Sequence, residues 1–230
     1  TGDLRGVTSR LDYLQKLGVD AIWLTPVYVS PQVDNGYDVA DYCAIDPAYG
    51  TMADFEQLVA AAHRRGIRIV MDMVFNHTST EHPWFKAAQD RHSPYRQFYV
   101  WRDGEGDTPP NNWRSKFGGN AWQWHADSGQ YYLHLFATEQ ADLNWENPEV
   151  REEVYKNIRW WMEKGLGGFR IDAIINIKKK LPFSDYPADR ADGLCSVGRM
   201  LEEAEGIGEF LGEMAEKCFH PYDAFTVGEV

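Results

Sequence analysis

Four short apolar runs rich in branched residues recur along the chain and predict buried parallel strands. They occupy residues 19–27, 67–75, 168–174 and 225–230. Apolar residues at helical spacing fill the intervals between these runs. They predict helices over 11–17, 54–65, 148–164 and, less regularly, 190–217.

Alternating strands and helices with crossovers of this length predict right-handed βαβ units on a parallel sheet. Both doubly wound and barrel folds satisfy that pattern. The stretch that begins at residue 78 is too long for a βα loop, and it predicts an inserted subdomain over 78–146. Residues 1–77 and 147–230 then form one α/β unit. The chain opens with a predicted helix that no strand precedes, and it stops inside a predicted strand. Because the outer strands of such a sheet would expose unpaired edges, we expect a piece of a larger barrel.

Composition restricts the classes of function. The chain has 230 residues, 43% of them hydrophobic, which suits one sizeable globular core. No apolar run approaches a membrane span, so no membrane partner is expected. The net charge of −12 disfavours nucleic acid. Three widely spaced cysteines without a CxxC pair favour a reducing, cytoplasmic compartment.

Aromatic residues make up 14% of the chain and are concentrated between residues 84 and 136. Aromatic rings stack on sugar rings, and they also simply fill cores. A concentration within a loop-rich stretch therefore leaves both a carbohydrate site and a packed subdomain open.

Polar side chains follow every predicted strand, where α/β folds place their functional groups. In chain order they are Asp34, Tyr37, Asp72, Asn76, His77, Arg170, Asp172 and Glu229. Taken singly, each also fits a cap, a turn or a structural ion pair. Because adjacent parallel strands end side by side, Asp172 and Glu229 are expected to face each other across one pocket. A pair of carboxyl groups in differing surroundings is what glycoside hydrolysis requires.

Four ordered motifs give this chain a recognisable pattern. They are MDMVFNH, ending at His77, QADLN, beginning at Gln140, GFRIDA, which contains Asp172, and VGEV, which contains Glu229. Together they resemble the α-amylase family of glycoside hydrolases, and within it the oligo-1,6-glucosidase and α-glucosidase group. The resemblance implies strands two to five of a (β/α)8 barrel, with the insertion after barrel strand 3.

The resemblance also implies roles for individual residues. Asp172 is the nucleophile, Glu229 the acid and base, and Arg170 keeps Asp172 ionised and oriented. The implied reaction releases glucose from the non-reducing end of short α-glucosides with retained configuration, and the chemistry needs no cofactor. The family pattern also places further residues around the substrate. The implied substrate-binding residues are Asp34, Tyr37, His77, Phe117, Phe136 and Gln140, with Asp72 and Asn76 supporting the site.

Two features leave the substrate open. Ala173 departs from the valine usual in enzymes that strictly cut α-1,6 bonds, so α-1,4, sucrose-like and trehalose-like substrates remain candidates. Lys178, Lys179 and Lys180 suggest a phosphorylated sugar, as in trehalose-6-phosphate hydrolases, or else a solvated face. A non-catalytic barrel like the family's transporter heavy chains and an inert fragment are the alternatives of another class.

Asp3 matches the last ligand of a calcium loop in this group. The preceding acidic residues are absent, and one carboxylate cannot supply the six to eight oxygens that calcium takes. We therefore expect structural calcium only in a longer parent protein. The expected partner is a small oligosaccharide, and the expected state is a monomer.

Overall fold

A four-stranded parallel sheet lies at the centre of the chain in this computed structural model, which describes residues 2–105 and 107–230. The first to fourth sheet strands are Ala21–Leu24, Arg68–Met73, Gly168–Ile171 and Phe225–Gly228. They are adjacent in that order and parallel. The chain is therefore α/β, as predicted, and all four strands end at the same edge.

Helices surround the sheet, and all of them except Gly198–Glu202 bury apolar residues in the main core. Those longer than one turn are Leu4–Ser9, Leu11–Lys16, Met52–His63, Pro83–Ala88, Pro148–Glu163, Gly198–Glu202 and Ile207–Met214. Thr51 and Asp54 form a capping box at the start of the helix that runs to His63. The helix predicted over 190–217 is wrong in its first part, since a short strand, Cys195–Ser196, precedes the helical residues.

The segment between the second and third sheet strands carries short strands. Trp101–Arg102, Gln130–Leu133 and Trp122–His125 form an antiparallel sheet. Its core combines aliphatic residues with the buried aromatic residues Trp113, Trp122 and Tyr131. Val197 and Met200, from beyond the third sheet strand, pack into the same core. The insert is therefore anchored by a segment distant in sequence.

The remaining short elements connect the sheet to this insert and to the site. They are the strands Tyr28–Val29, Asp41–Ile45, His77–Ser79, Trp113–Arg114 and Gln140–Asp142, and the 3₁₀ turns Pro94–Phe98, Ile174–Asn176 and His220–Tyr222. A π turn over Ala215–Phe219 follows the last helix.

Gly168 sets the approach of the third and fourth sheet strands. Its φ is +148°, and a Cβ there would lie 1.7 Å from the carbonyl oxygen of Phe225. Only glycine allows this backbone contact. The contact aligns the strand that precedes Asp172 with the strand that precedes Glu229.

In the part of the chain that the structure describes, no helix combines the length and apolarity needed to cross a membrane.

Candidate active site

A cavity of about 500 Å³ opens where the sheet strands end. Its walls come from the strand ends and from two loops of the insert. The lining residues are Asp34, Tyr37, His77, Lys116, Phe117, Phe136, Arg170, Asp172, Ala173, Ile175, Asn176, Glu229 and Val230. Most of the residues predicted from the sequence therefore share one cavity.

Arg170 joins three carboxyl groups at the floor of this cavity. Its Nη1 lies 2.6 Å from Asp172 Oδ1 and 2.8 Å from Asp72 Oδ1, and its Nη2 lies 2.7 Å from Glu229 Oε1. Because one guanidinium contacts both, the contacting oxygens of Asp172 and Glu229 lie within about 8 Å of each other. That bound is compatible with a pair of carboxyl groups flanking one glycosidic bond.

The charges in this cluster do not balance. One cation meets Asp72, Asp172 and Glu229, and Asp72 is fully buried. Burial raises the pKa of Asp172 to about 7, and the negative charges of Asp72 and Glu229 act in the same direction, against the Arg170 contact. Because the guanidinium is shared among three carboxyl groups, Arg170 offsets only part of the effect of burial and neighbouring negative charge on the pKa of Asp172.

Glu229 occupies the more open side of the cavity. Its side chain is 51% exposed, against 11% for Asp172. The backbone N–H of Ala173 donates to Glu229 Oε2 at 3.1 Å. Ala173 has a φ of +47°, an uncommon conformation for a residue other than glycine, and this conformation accompanies the contact with Glu229. The two carboxyl groups thus differ strongly in their exposure to solvent.

Asp72 organises the aromatic side of the floor. The Tyr37 hydroxyl donates to Asp72 Oδ2 at 3.0 Å, and Trp23 Nε1 donates to the same oxygen at 3.2 Å. The Arg170 guanidinium carbon lies 5.1 Å from the Trp23 ring centroid. Burial raises the pKa of Tyr37, so its hydroxyl keeps its proton and remains a donor. Asp72 therefore orients Tyr37 and Arg170.

His77 lines the cavity, although its side chain is almost entirely buried. The Asn76 amide lies 3.2 Å from Nδ1, and the Tyr37 carbonyl lies 3.0 Å from Nε2. This pattern suits the neutral ring with its proton on Nε2, and burial lowers the pKa of His77. His77 thus holds the Tyr37 backbone at the cavity wall.

Gln140 was predicted to line the pocket, and the structure places it behind the wall instead. It is fully buried, and its amide nitrogen donates to Asp34 Oδ2 at 2.9 Å. Its carbonyl accepts from the N–H of Ala137 at 3.0 Å. Its amide nitrogen also lies 3.2 Å from His77 Nε2. Both ends of the side chain are occupied within the protein, so Gln140 acts on the cavity through Asp34 and His77.

Two aromatic residues of the insert form the opposite wall. Phe136 packs 5.2 Å from the His77 ring, and Phe117 packs edge-on against Phe136 at 5.6 Å. Phe117 is 59% exposed, which leaves its ring open to the cavity. The adjoining Lys116 places its Nζ 5.2 Å from the centre of the Phe136 ring.

The three consecutive lysines each meet a carboxylate. Lys179 is buried, and it lies 2.7 Å from the buried carboxylate of Asp142 and 3.1 Å from Asn76 Oδ1. The other two pairs lie nearer the surface, Lys178 with Glu146 and Lys180 with Glu203. The expected solvated face is therefore wrong for Lys179, because that side chain ties the segment after the third sheet strand to the insert.

Asp3 lies outside the cavity. Its carboxylate accepts from the N–H of Gly6 at 2.6 Å and caps the first helix. Among residues 2–105 and 107–230, no group of three or more His, Cys, Asp or Glu side chains is arranged to hold a metal ion. Structural calcium bound through Asp3 stays a prediction for a longer parent protein.

The residues of the site that were not predicted from the sequence include Trp23, Lys116 and Asp142. Trp23 lies within the first apolar run, and its place beside Arg170 follows only from the sheet order. Asp142 lies inside QADLN, so the motif itself marked it. Lys116 carried no signal beyond its position next to Phe117.

The family of the chain follows from a comparison with known proteins. A family model described as "Alpha amylase, catalytic domain" matches residues 1–230. The chain belongs to the α-amylase family. The resemblance carried by the four motifs is thereby confirmed, and the sheet is part of a barrel of the kind this family forms.

Individual relatives within the α-amylase family are similar along the whole chain. A trehalose-6-phosphate hydrolase of Escherichia coli (strain K12) is 62% identical over 100% of this chain, and an oligo-1,6-glucosidase of Parageobacillus thermoglucosidasius is 48% identical over 99%. A crystal structure of Bacillus licheniformis trehalose-6-phosphate hydrolase superposes with a TM-score of 0.93 at 52% identity, covering 100% of this chain and 41% of that one. The chain spans 41% of the length of both curated relatives.

Proposed function

We propose that this chain supplies the catalytic pair of a retaining glycoside hydrolase that releases glucose from the non-reducing end of short α-glucosides. One observation carries the proposal: a single guanidinium, that of Arg170, contacts both Asp172 and Glu229 at the floor of a cavity with aromatic walls. Both acids are present, which disfavours a non-catalytic barrel of the transporter type.

The first step joins the glucosyl unit to the protein. An oxygen of ionised Asp172 attacks the anomeric carbon as the glycosidic bond breaks, and Glu229 gives its proton to the leaving oxygen. Asp172 is the less exposed of the two, and Arg170 stabilises its charged form. Glu229 lies on the more open side, where a leaving sugar has room.

The second step releases glucose. Glu229, now a carboxylate, takes a proton from water, whose oxygen attacks the anomeric carbon and displaces Asp172. Two inversions leave the configuration unchanged, so the first product anomer is α. Each residue returns to its starting protonation state.

The glucose unit would be held by the wall residues. Tyr37 offers a ring face, and Asp34, fixed by Gln140, offers a carboxylate for a sugar hydroxyl. Phe117 and Phe136 close the opposite side. His77 contributes through the position of Tyr37 and through its ring edge. Asp72 and Asn76 support these groups from below.

Trehalose 6-phosphate is the second candidate substrate. Its support is the printed name of relatives that are 62% and 53% identical over the whole chain. Sucrose-like substrates also remain candidates. Ala173, which directly follows Asp172, is smaller than the valine usual in enzymes that strictly cut α-1,6 bonds.

Further properties of the protein complete the proposal. Residues 78–146 act as the family's inserted subdomain beside the substrate. The protein is a cytoplasmic monomer, it acts on small sugars rather than on nucleic acid or membranes, and its chemistry needs no cofactor. A structural calcium ion would need ligands from outside this chain.

The test uses the expressed protein that contains this chain, with maltose, isomaltose, sucrose, trehalose and trehalose 6-phosphate side by side. Asp172→Asn and Glu229→Gln should each lower kcat by about 10³-fold or more on the best substrate. Asp54→Asn, a buried carboxylate on a distant helix, is the matched control and should retain kcat. Full hydrolysis by Asp172→Asn would overturn the mechanism.

A further inference from the structure

We propose that Lys116 is the cationic contact for a phosphate monoester carried by the substrate, and that it determines preference for phosphorylated over neutral glucosides. This inference rests on the proposed function and names a substrate class for the same cavity. It assigns to Lys116 the role that the sequence alone suggested for the three consecutive lysines.

The carboxyl groups around the cavity disfavour the binding of an anion unless a cationic side chain contacts it. Asp34, Asp172 and Glu229 line it, and Asp72 lies directly beneath. Arg170 is already shared among three carboxyl groups. A phosphate dianion entering this cavity would meet net negative charge, so its binding requires a cation that is not already paired.

The three consecutive lysines do not meet that requirement. Each is paired with a carboxylate of this chain, and the Lys179 pair is buried. Recruiting any of them would break an existing ion pair. For the buried pair, this would leave the Asp142 charge uncompensated inside the protein.

In the described part of the chain, Lys116 is a cation of this cavity that is not already paired with a carboxylate. Within residues 2–105 and 107–230, no carboxylate oxygen lies within the 4.0 Å of an ion pair from Lys116 Nζ. It is exposed, it lines the same cavity as Asp172 and Glu229, and its Nζ lies 5.2 Å from the centre of the Phe136 ring. The titratable and charged groups that act on it are Glu229, Asp142 and Asp172, all negative.

The loop that carries Lys116 is fixed in place. The Lys116 N–H donates to the Leu135 carbonyl at 2.8 Å, and the Ser115 hydroxyl donates to the Phe136 carbonyl at 2.7 Å. The chain then turns through Gly118 and Gly119, both with positive φ. The lysine therefore starts from a defined point on the wall, which lowers the entropic cost of an ionic contact.

The experiment compares wild type, Lys116→Gln, Lys116→Arg and Lys180→Gln in the expressed protein that contains this chain. Two readouts are used: kcat/KM for trehalose 6-phosphate and for p-nitrophenyl α-glucoside, and inhibition of the latter reaction by glucose 6-phosphate and by glucose. For Lys116→Gln, the ratio of kcat/KM values should shift against the phosphorylated substrate by about tenfold or more.

In the same variant, glucose 6-phosphate inhibition should weaken by a similar factor relative to glucose. Lys116→Arg should keep most of the preference because the charge remains, and Lys180→Gln should match wild type on both readouts.

Three results would overturn the assignment. These are equal losses on both substrates in Lys116→Gln, a selective loss in Lys180→Gln, or a wild type that cleaves the p-nitrophenyl glucoside without any preference for phosphorylated ligands. In the third case the glycosidase proposal stands. A wild type that cleaves neither substrate contradicts the glycosidase proposal itself, and the assignment of Lys116 falls with it.

Discussion

Replacing Asp72 with asparagine should move the acidic limb of the pH–rate profile. Asp72 is fully buried, and its carboxylate shares Arg170 Nη1 with Asp172 at 2.8 and 2.6 Å. Their contacting oxygens are therefore at most about 5.4 Å apart, the sum of the two contacts. The negative charge of Asp72 favours the protonated form of Asp172, so removing it should lower the pKa of Asp172.

The size of the effect follows from Coulomb's law. Two unit charges about 5 Å apart at an effective dielectric constant of about 20 interact by about 3 kcal/mol, or roughly two pH units. The nucleophile must be ionised, so the rate rises as pH passes through its pKa, which burial raises to about 7 in the native chain. Allowing for partial solvent screening, we expect the limb of Asp72→Asn at about pH 5 to 6.

The assay is kcat/KM against pH for a soluble chromogenic α-glucoside, with Asp54→Asn as the control. Asp54 is also buried, but it caps a helix and does not contact Arg170, so its limb should stay near pH 7. The reasoning would be refuted if the limb of Asp72→Asn stayed where the wild-type limb lies or moved to higher pH.

Three further substitutions separate packing from chemistry. Gly168→Ala should lower the free energy of unfolding by about 3 kcal/mol or more in urea titrations, because its Cβ would meet backbone 1.7 Å away. Lys179→Met should lower the free energy of unfolding by about 3 to 5 kcal/mol in the same titration, since the buried Asp142 carboxyl group would lose its cationic partner. Gln140→Ala should raise KM several-fold with a smaller change in kcat, because it releases Asp34 without touching the acids.

Each of these three predictions can be contradicted by a stated result. Unfolding free energies within about 0.5 kcal/mol of wild type would contradict the close strand contact in the first variant and the buried charge pair in the second. For Gln140→Ala, a fall in kcat as large as that of Asp172→Asn would place the residue in the chemical step.

Much of the sheet could be predicted because its strands are continuous apolar runs. Their polar ends belong to the site, so the pairing of Asp172 with Glu229 followed from strand adjacency alone. The predicted strands were too long at their ends, because the chain turns once it reaches polar residues. At Ala173 it already has a positive φ.

The sequence could not separate the roles of the aromatic residues between 84 and 136. Some fill the core of the insert, as Trp113 and Trp122 do, and others, such as Phe85 and Tyr99, join the main core, while Phe117 and Phe136 face the cavity. All are aromatic and lie in loops or in short helices and strands, so their burial depends on long-range packing. For the same reason Gln140 was placed in the pocket, although it is buried behind Asp34.

Trapping the covalent intermediate tests the central claim most directly. The expressed protein would be treated with a fluorinated glucosyl fluoride that forms the intermediate quickly and hydrolyses it slowly, and its peptides would be analysed by mass spectrometry. The mechanism predicts one added fluoroglucosyl unit on the peptide that contains Asp172, and no labelling in Asp172→Asn. A label on Asp72 or Glu229, or turnover without any labelled peptide, would contradict Asp172 as the nucleophile.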